Sequence, residues 1–282
     1  MKNEVICGDC REILSGLEDA SVSCVVTSPP YALQRSEKYP SISEEEYPEW
    51  TVKWMEPLKR VLTPDGSVAI VIRPHLRKGQ ISDYVLKTRL AIRKAGWTEC
   101  DELIWIKPQS PPLGSVYRPR RSWESILWFG KTGRVYCNPK ANGTESDRIG
   151  FEAKKQVGEK HKRGISDPEN PDGRGPCTKG IARCRDYVEV GTGISTDYSS
   201  DNTHPAQFPV NLAQWLVRLL SPEDGLILDP FMGSGSTALA CIVEKRRWLG
   251  IEICEEYCEI TNQRVRELRS QLASPTPVKV QP

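Results

Sequence analysis

Two kinds of apolar pattern alternate along the chain. Compact runs lie at 23–27 (SCVVT), 67–72 (SVAIVI), 102–107 (ELIWIK), 124–129 (ESILWF), 226–229 (LILD) and 247–253 (RWLGIEI), with a shorter one at 4–7 (EVIC). Rich in β-branched and aromatic residues, they predict strands covered on both faces. Between them, apolar residues return at helical spacing. Helices are predicted over 10–17, with Asp9 near its N-terminus, and over 44–62, where Trp50, Trp54, Leu58, Val61 and Leu62 share a face and Pro57 introduces a bend. The TPDG turn closes that helix. A third helix spans 82–95, capped by Ser82 or Asp83, with Val85, Leu86, Leu90 and Ala95 as its apolar stripe. Others are 210–220, a segment running from a glycine turn through Lys245, and 255–272. This alternation predicts an α/β sheet with helices on its faces.

The pattern lapses between about Gly130 and Thr203, where Gly, Pro, Asn, Asp and Lys dominate. A stretch such as KKQVGEKHKRGISDPENPDGRGP reads as a solvated loop, or as a module that orders on a partner. The chain therefore divides into a first half (1–130), an insertion (131–202), a second half of the same domain (203–273) and a frayed tail (274–282).

Composition narrows the class only modestly. The 282 residues carry a formal net charge of +2, so any polyanion-binding surface depends on uneven distribution. Of the 10 cysteines, Cys7 and Cys10 are close, but no second Cys or His pair lies near them at finger spacing. Small buried thiols are expected, and no metal. No secretory leader or membrane-length apolar run is visible, which favours a reducing, cytoplasmic setting and no membrane partner.

Two stretches carry chemistry. In LILDPFMGSGSTALACIVEKRRWLGIEI, Gly233 and Gly235 allow a tight strand-to-helix turn whose backbone N–H groups approach a ligand. Glu252 ends the next strand about 17 residues later, the spacing at which a carboxylate meets ribose hydroxyls. A nucleoside-containing cofactor follows. Asp229, at the mouth of the turn, repels pyrophosphate and suits an ammonium group, which favours S-adenosylmethionine over a dinucleotide.

The second stretch is VVTSPPY, a buried strand running into two prolines. They remove two backbone donors and stiffen the corner. An exocyclic amine conjugated to a ring is a poor nucleophile. Ser28 Oγ and the Pro29 carbonyl are candidate acceptors for its hydrogens, drawing the nitrogen towards tetrahedral geometry. Tyr31 offers a face on which a flipped base can stack.

With these two stretches the chain resembles the β class of DNA amino-methyltransferases, over nearly its whole length. Thr27-Ser28-Pro29-Pro30-Tyr31 matches the catalytic tetrad with its lead-in, and Asp229 to Thr237 (DPFMGSGST) matches the cofactor loop. His204 to Pro209 (HPAQFP) is similar to the segment beside the methionine end of the cofactor. Gly250-Ile251-Glu252 matches the ribose-binding strand end, and Cys7-Gly8-Asp9 the segment whose Asp meets adenine. The resemblance implies S-adenosylmethionine as cofactor, double-stranded DNA as substrate, and at times a homodimer. It implies catalytic Ser28, Pro29, Pro30 and Tyr31, and cofactor-binding Asp9, Phe208, Asp229, Phe231, Gly233, Ser234, Gly235, Ser236, Thr237 and Glu252. The implied fold is Rossmann-like, a seven-stranded, mostly parallel sheet with the catalytic half first. The implied role of 131–202 is target recognition.

A Ser in the first tetrad position goes more often with cytosine N4 in this family, and Asp with adenine N6, so direct methyl transfer to cytosine N4 is favoured. Adenine N6 is the alternative within DNA, and an RNA or protein-glutamine amine outside it. A nicotinamide-dependent dehydrogenase leaves the tetrad unexplained, and a non-catalytic DNA-binding module needs no cofactor site. A cytosine C5 enzyme needs a Pro-Cys corner, and Pro176-Cys177 lies in the polar insertion. Arg73, His75, Arg77 and Lys78, with Arg118, Arg120 and Arg121, are candidates for phosphate contacts. Trp105, Trp123, Trp128 and Trp248 are expected in the core.

Overall fold

The computed structural model describes residues 3–33, 41–109, 117–145, 181–191 and 209–273. The chain forms two compact units. One joins residues 1–138 to 186–282, and the other is Pro139–Arg185.

The first unit is built on an eight-stranded sheet. Its strands are β1 (Glu4–Cys7), β2 (Val22–Thr27), β3 (Leu62–Ile72), β6 (Thr98–Ile106), β7 (Trp123–Gly130), β8 (Tyr187–Glu189), β9 (Leu226–Asp229) and β10 (Arg247–Glu252). A separate two-residue hairpin pairs β4 (Leu76–Arg77) with β5 (Gln80–Ile81). The helices are α1 (Cys10–Ser15), α2 (Tyr47–Met55), α3 (Leu58–Val61), α4 (Tyr84–Lys94), α5 (Val210–Leu220), α6 (Ser236–Val243) and α7 (Glu255–Ala273).

The order across the large sheet is β1-β10-β9-β2-β3-β7-β6-β8. From β1 to β3 every neighbour is parallel, and β7 then runs antiparallel to both β3 and β6. The central strands are apolar on both faces because helices cover both, as β2 (VSCVVT) and β9 (LILD) show. The chain works outward from β9 to β10 on one side and from β2 to β3 on the other. The switch point therefore lies between β2 and β9, which pair through Cys24 with Ile227 and Val25 with Leu228. In open α/β sheets the crevice beyond the carboxyl ends of such strands is where ligands bind.

The second unit is described at its two ends only. Glu145 and Ile181 form an antiparallel bridge, and Cys184 N–H donates to the Pro139 carbonyl at 2.8 Å. Both chain ends of the unit are thus tied together.

Several expectations change in detail. An eighth strand, β8, lies inside the span assigned to the insertion, and pairs parallel to β6 through Tyr187 and Ile104. Its three residues are too few for a readable period. The predicted helix over 44–62 divides into α2 and α3 around Pro57, which lacks the N–H to continue it. Thr63-Pro64-Asp65-Gly66 is no free turn but a bulge in β3, where Val22 and Cys24 of β2 face Leu62 and Ser67. The stripe of α4 is also shifted. Tyr84, Val85, Thr88 and Ile92 are buried, while Leu86 and Leu90 are exposed. Tyr84 decides this: its ring packs edge-on to Tyr47 of α2 at 5.0 Å, and its hydroxyl donates to the Arg73 carbonyl. Trp105, Trp128 and Trp248 are core residues, but Trp123, at the open end of β7, is half exposed.

Candidate active site

Two loops leave the switch point side by side. β2 ends at Thr27 and continues into Ser28-Pro29-Pro30-Tyr31, and β9 ends at Asp229 and continues into the glycine loop. A cleft opens where they meet. Its lining takes Pro30 from the proline corner, Pro230 and Phe231 from the glycine loop, Glu252 from the tip of β10 and Asp9 from the start of α1. Residues from distant parts of the sequence thus converge on one space.

The glycine loop is bent at two left-handed positions, Gly233 (φ 53°) and Gly235 (φ 89°), a conformation that side chains disfavour. A Cβ on Gly235 would sit 2.9 Å from the Thr261 side chain. Two residues of α7 clamp the turn from below. Thr261 Oγ1 donates to the Gly233 carbonyl at 3.0 Å, and buried Arg264 Nη1 donates to the Ser234 carbonyl and reaches Ser234 Oγ at 3.2 Å. Burial lowers the affinity of Arg264 for its proton. Neither residue was anticipated, although both lie on the helical stripe Tyr257, Cys258, Thr261, Arg264, Val265, Leu268 that α7 buries. A cation on an apolar stripe was the available signal.

Glu252 is buried, and its carboxylate accepts from the Gly233 N–H at 2.8 Å and the Cys254 N–H at 2.9 Å. It joins the loop to β10 while bordering the cleft. Asp9 caps α1 by accepting from the Arg11 N–H at 2.8 Å, and the Arg11 guanidinium holds its carboxyl below the usual range. Ser236 and Thr237 are buried in the first turn of α6. Trp50 and Trp54 of α2, read from the sequence as a helix face, form one wall of the cleft, with Phe231 packed 5.5 and 5.2 Å from their rings. Phe208, and with it the segment HPAQF, lies outside the described residues.

Asp229 is a correction. Its carboxylate does not stand open at the mouth of the turn but is fully buried. Oδ1 accepts from Thr27 Oγ1 at 2.7 Å and from the Phe231 N–H at 3.0 Å, and Oδ2 accepts from Thr237 Oγ1 at 2.6 Å. Three donors inside the protein are reason enough for it to turn inward. Burial pushes its pKa up to about 6.

At the proline corner, Tyr31 is packed against the core and its hydroxyl donates to Glu124 Oε2 at 2.5 Å. Burial, reinforced by the Glu124 carboxylate, keeps the phenol protonated. Glu124 is itself buried, paired with Lys107 and 4.0 Å from Arg73. Lys107 loses proton affinity through burial, an effect its pairing with Glu124 opposes. This cluster was not foreseen, because Glu124 opens a strand whose other residues are mostly apolar.

The candidate cations divide. Arg77 and Lys78 are exposed on the β4–β5 hairpin, and exposed Arg118 donates to the Gly79 carbonyl at its tip. Arg73 and His75 turn inward, while Arg121 is half-buried: Arg73 Nη1 reaches the Arg121 carbonyl at 3.4 Å, and His75 stacks on Tyr84 and bonds the Ala32 carbonyl. Arg120 is exposed. Burial pushes the Cys10 and Cys24 thiols up to about 12, leaving them unreactive apolar groups. Among the described residues no group of three His, Cys, Asp or Glu is placed to hold a metal, and no helix is long and apolar enough to cross a membrane.

The sheet order and the switch-point cleft define the Rossmann-like fold of S-adenosylmethionine-dependent methyltransferases. Residues 22–263 match the N6/N4 methyltransferase family model, described as DNA methylase, and the chain belongs to that family. It is a DNA amino-methyltransferase, and the cofactor of its family is S-adenosylmethionine. The type II methyltransferase M.PvuII of Proteus hauseri is 27% identical over 89% of this chain and 80% of its own length. The solved structure of PvuII DNA methyltransferase (cytosine-N4-specific) superposes with a TM-score of 0.69 at 23% identity, covering 94% of this chain and 86% of that one. The M1.HpyAVI–SAM complex gives a TM-score of 0.59 at 19% identity, covering 93% and 98%.

Proposed function

We propose that the protein transfers a methyl group from S-adenosylmethionine to the N4 amine of a cytosine flipped out of duplex DNA. The observation that carries this reading is the adjacency of the proline corner and the glycine loop at the β2–β9 switch point, with Pro30 and Phe231 lining one cleft. When bound there, the cofactor supplies an electrophilic methyl group. Ser28 Oγ and the Pro29 carbonyl accept the amino hydrogens, and the Tyr31 ring stacks on the base. Phe231, Trp50 and Trp54 give the cofactor an apolar wall, and Asp9 and Glu252 offer carboxylates to its adenosine. Ser28 in the first tetrad position favours cytosine, and the superposed PvuII enzyme is named as cytosine-N4-specific.

Arg77, Lys78, Arg118 and Arg120 form the exposed phosphate-binding set, with Arg73, His75 and Arg121 behind them. The insertion 131–202 recognises the target sequence. A substrate of chromosomal DNA puts the working enzyme in a prokaryotic cytoplasm.

Nucleoside mass spectrometry after incubation with labelled S-adenosylmethionine and mixed-sequence duplex DNA tests the reading. N4-methylcytosine is expected. N6-methyladenine would keep the enzyme and overturn the base. Label found only in RNA or protein would overturn the substrate.

A further inference from the structure

The two prolines stiffen the catalytic corner only as far as Pro30. Tyr31 and Ala32 follow with ordinary backbone freedom, yet the Tyr31 ring must stand still if a base is to stack on it. The peptide unit that joins Ala32 to Leu33 is held at both of its polar ends. Its carbonyl, on Ala32, bonds His75 Nε2 at 2.5 Å, and its N–H, on Leu33, donates to the Ile42 carbonyl at 2.7 Å. A carbonyl only accepts, so His75 Nε2 carries the hydrogen. Leu33 has φ 55°, a left-handed conformation that a leucine keeps only where its surroundings enforce it. A peptide clamped on both sides is such a surrounding.

His75 is itself anchored. Its ring stacks on Tyr84, with centroids 5.3 Å apart and planes 27° from parallel. Tyr84 is fully buried, tied to the Arg73 carbonyl and packed on Tyr47. The His75 carbonyl accepts from the Ser82 N–H at 2.9 Å, closing the neck of the β4–β5 hairpin. The imidazole thus lends the rigidity of α4 and the hairpin neck to a residue 43 positions earlier, next to Tyr31.

We propose that His75 is a positioning residue: by donating to the Ala32 carbonyl it fixes the exit of the proline corner and holds Tyr31 in place for the target base. The inference rests on the amine-methylation reading above, and holds for either base. Because the ring turns inward, its contribution belongs to the transfer step and not to phosphate binding.

Two substitutions separate the hydrogen bond from the ring. His75→Phe keeps an aromatic ring against Tyr84 and removes the donor. His75→Gln gives up the stacking but can place an amide N–H where Nε2 stands. The measurement is single-turnover methylation of mixed-sequence duplex DNA at saturating cofactor and DNA. His75→Phe is expected to slow transfer by about 10- to 100-fold, the scale of a group displaced by about 1 Å from its working position. Cofactor Kd by calorimetry should stay within about threefold of the native value. The slope of log K against log salt for DNA binding should be unchanged. His75→Gln should recover most of the lost rate.

Native speed in His75→Phe would overturn the proposal. A His75→Gln variant as slow as His75→Phe would also overturn it, by showing that the stacked ring matters and the hydrogen bond does not. A salt slope reduced by about one, with transfer at saturating DNA intact, would make His75 a phosphate contact instead. If His75→Phe does not fold, His75→Asn, whose amide reaches the Nδ1 position and leaves the Nε2 position empty, takes its place in the comparison with His75→Gln. An unmodified enzyme that binds cofactor but methylates no DNA would strike the underlying reading and this inference with it, a result distinct from any difference among variants.

Discussion

Thr27 Oγ1 and Asp229 Oδ1 meet at 2.7 Å across the two central strands, joining the root of the proline corner to the root of the glycine loop. The bond is fully buried and spans 202 positions of sequence. Asp229 also receives Thr237 at the start of α6 and the Phe231 N–H. One carboxylate therefore ties the proline corner to the glycine loop.

Its titration has a defined sign. The ordinary Asp value is 3.8, and burial raises it to about 6 in the fold. Between those values the folded chain holds a proton that the unfolded chain has released. The group therefore weakens the fold as pH rises through this window, by up to about 3 kcal/mol at neutrality. Asp229→Asn removes the titration. Urea unfolding at pH 4.5 and 7.5 should show the native protein losing ground to the variant as pH rises, and equal pH dependence would refute this account.

Ser28→Ala should reduce methyl transfer by at least about 100-fold, in the range for a missing oriented hydrogen bond. Its cofactor Kd should change little, because Ser28 is not among the residues lining the cleft. Calorimetric titration of the variant decides the matter, and a large loss of cofactor affinity would mean that Ser28 holds cofactor rather than substrate.

Gly235→Ala should act on cofactor binding rather than on DNA. The new Cβ meets Thr261 at 2.9 Å in a left-handed backbone, a strain of about 1–3 kcal/mol. A rise in cofactor Kd of about 10-fold or more is expected. Thr261→Ala in the same chain opens the space and should recover part of it, though never all, since the Thr261 bond to the Gly233 carbonyl goes with it.

Arg77→Ala and Lys78→Ala alter exposed cations on the β4–β5 hairpin. Each should lower DNA affinity and reduce the slope of log K against log salt by about one. Transfer at saturating DNA should be unchanged. A lost turnover with an unchanged salt slope would remove the hairpin from the DNA interface.

Much of this was legible in the sequence because the patterns are local. α5 at 210–220 and β9 at 226–229 stand where the apolar spacing put them, and the glycine loop and proline corner are contiguous motifs. What escaped depends on contacts between distant residues. Leu86 and Leu90 look like a core stripe on their own, and only the docking of Tyr84 on Tyr47 shows that the helix is rotated. Asp229 reads as a cleft residue until Thr27 and Thr237 are seen to claim it. Glu124 carried no signal in the strand it opens, because its partners Tyr31 and Lys107 belong to other segments.

The clamp on the glycine loop has a consequence for synthesis. Thr261 and Arg264 belong to α7, which follows every other described element in chain order, whereas β1 and β2 are made first. Strand β2 must wait for β9, some 200 residues later, before its central position in the sheet is filled. High contact order of this kind makes folding slow and leaves early strands uncovered on the ribosome. A nascent chain released short of α7 should hold the proline corner but bind cofactor poorly, so truncated products would be silent rather than aberrant methylators.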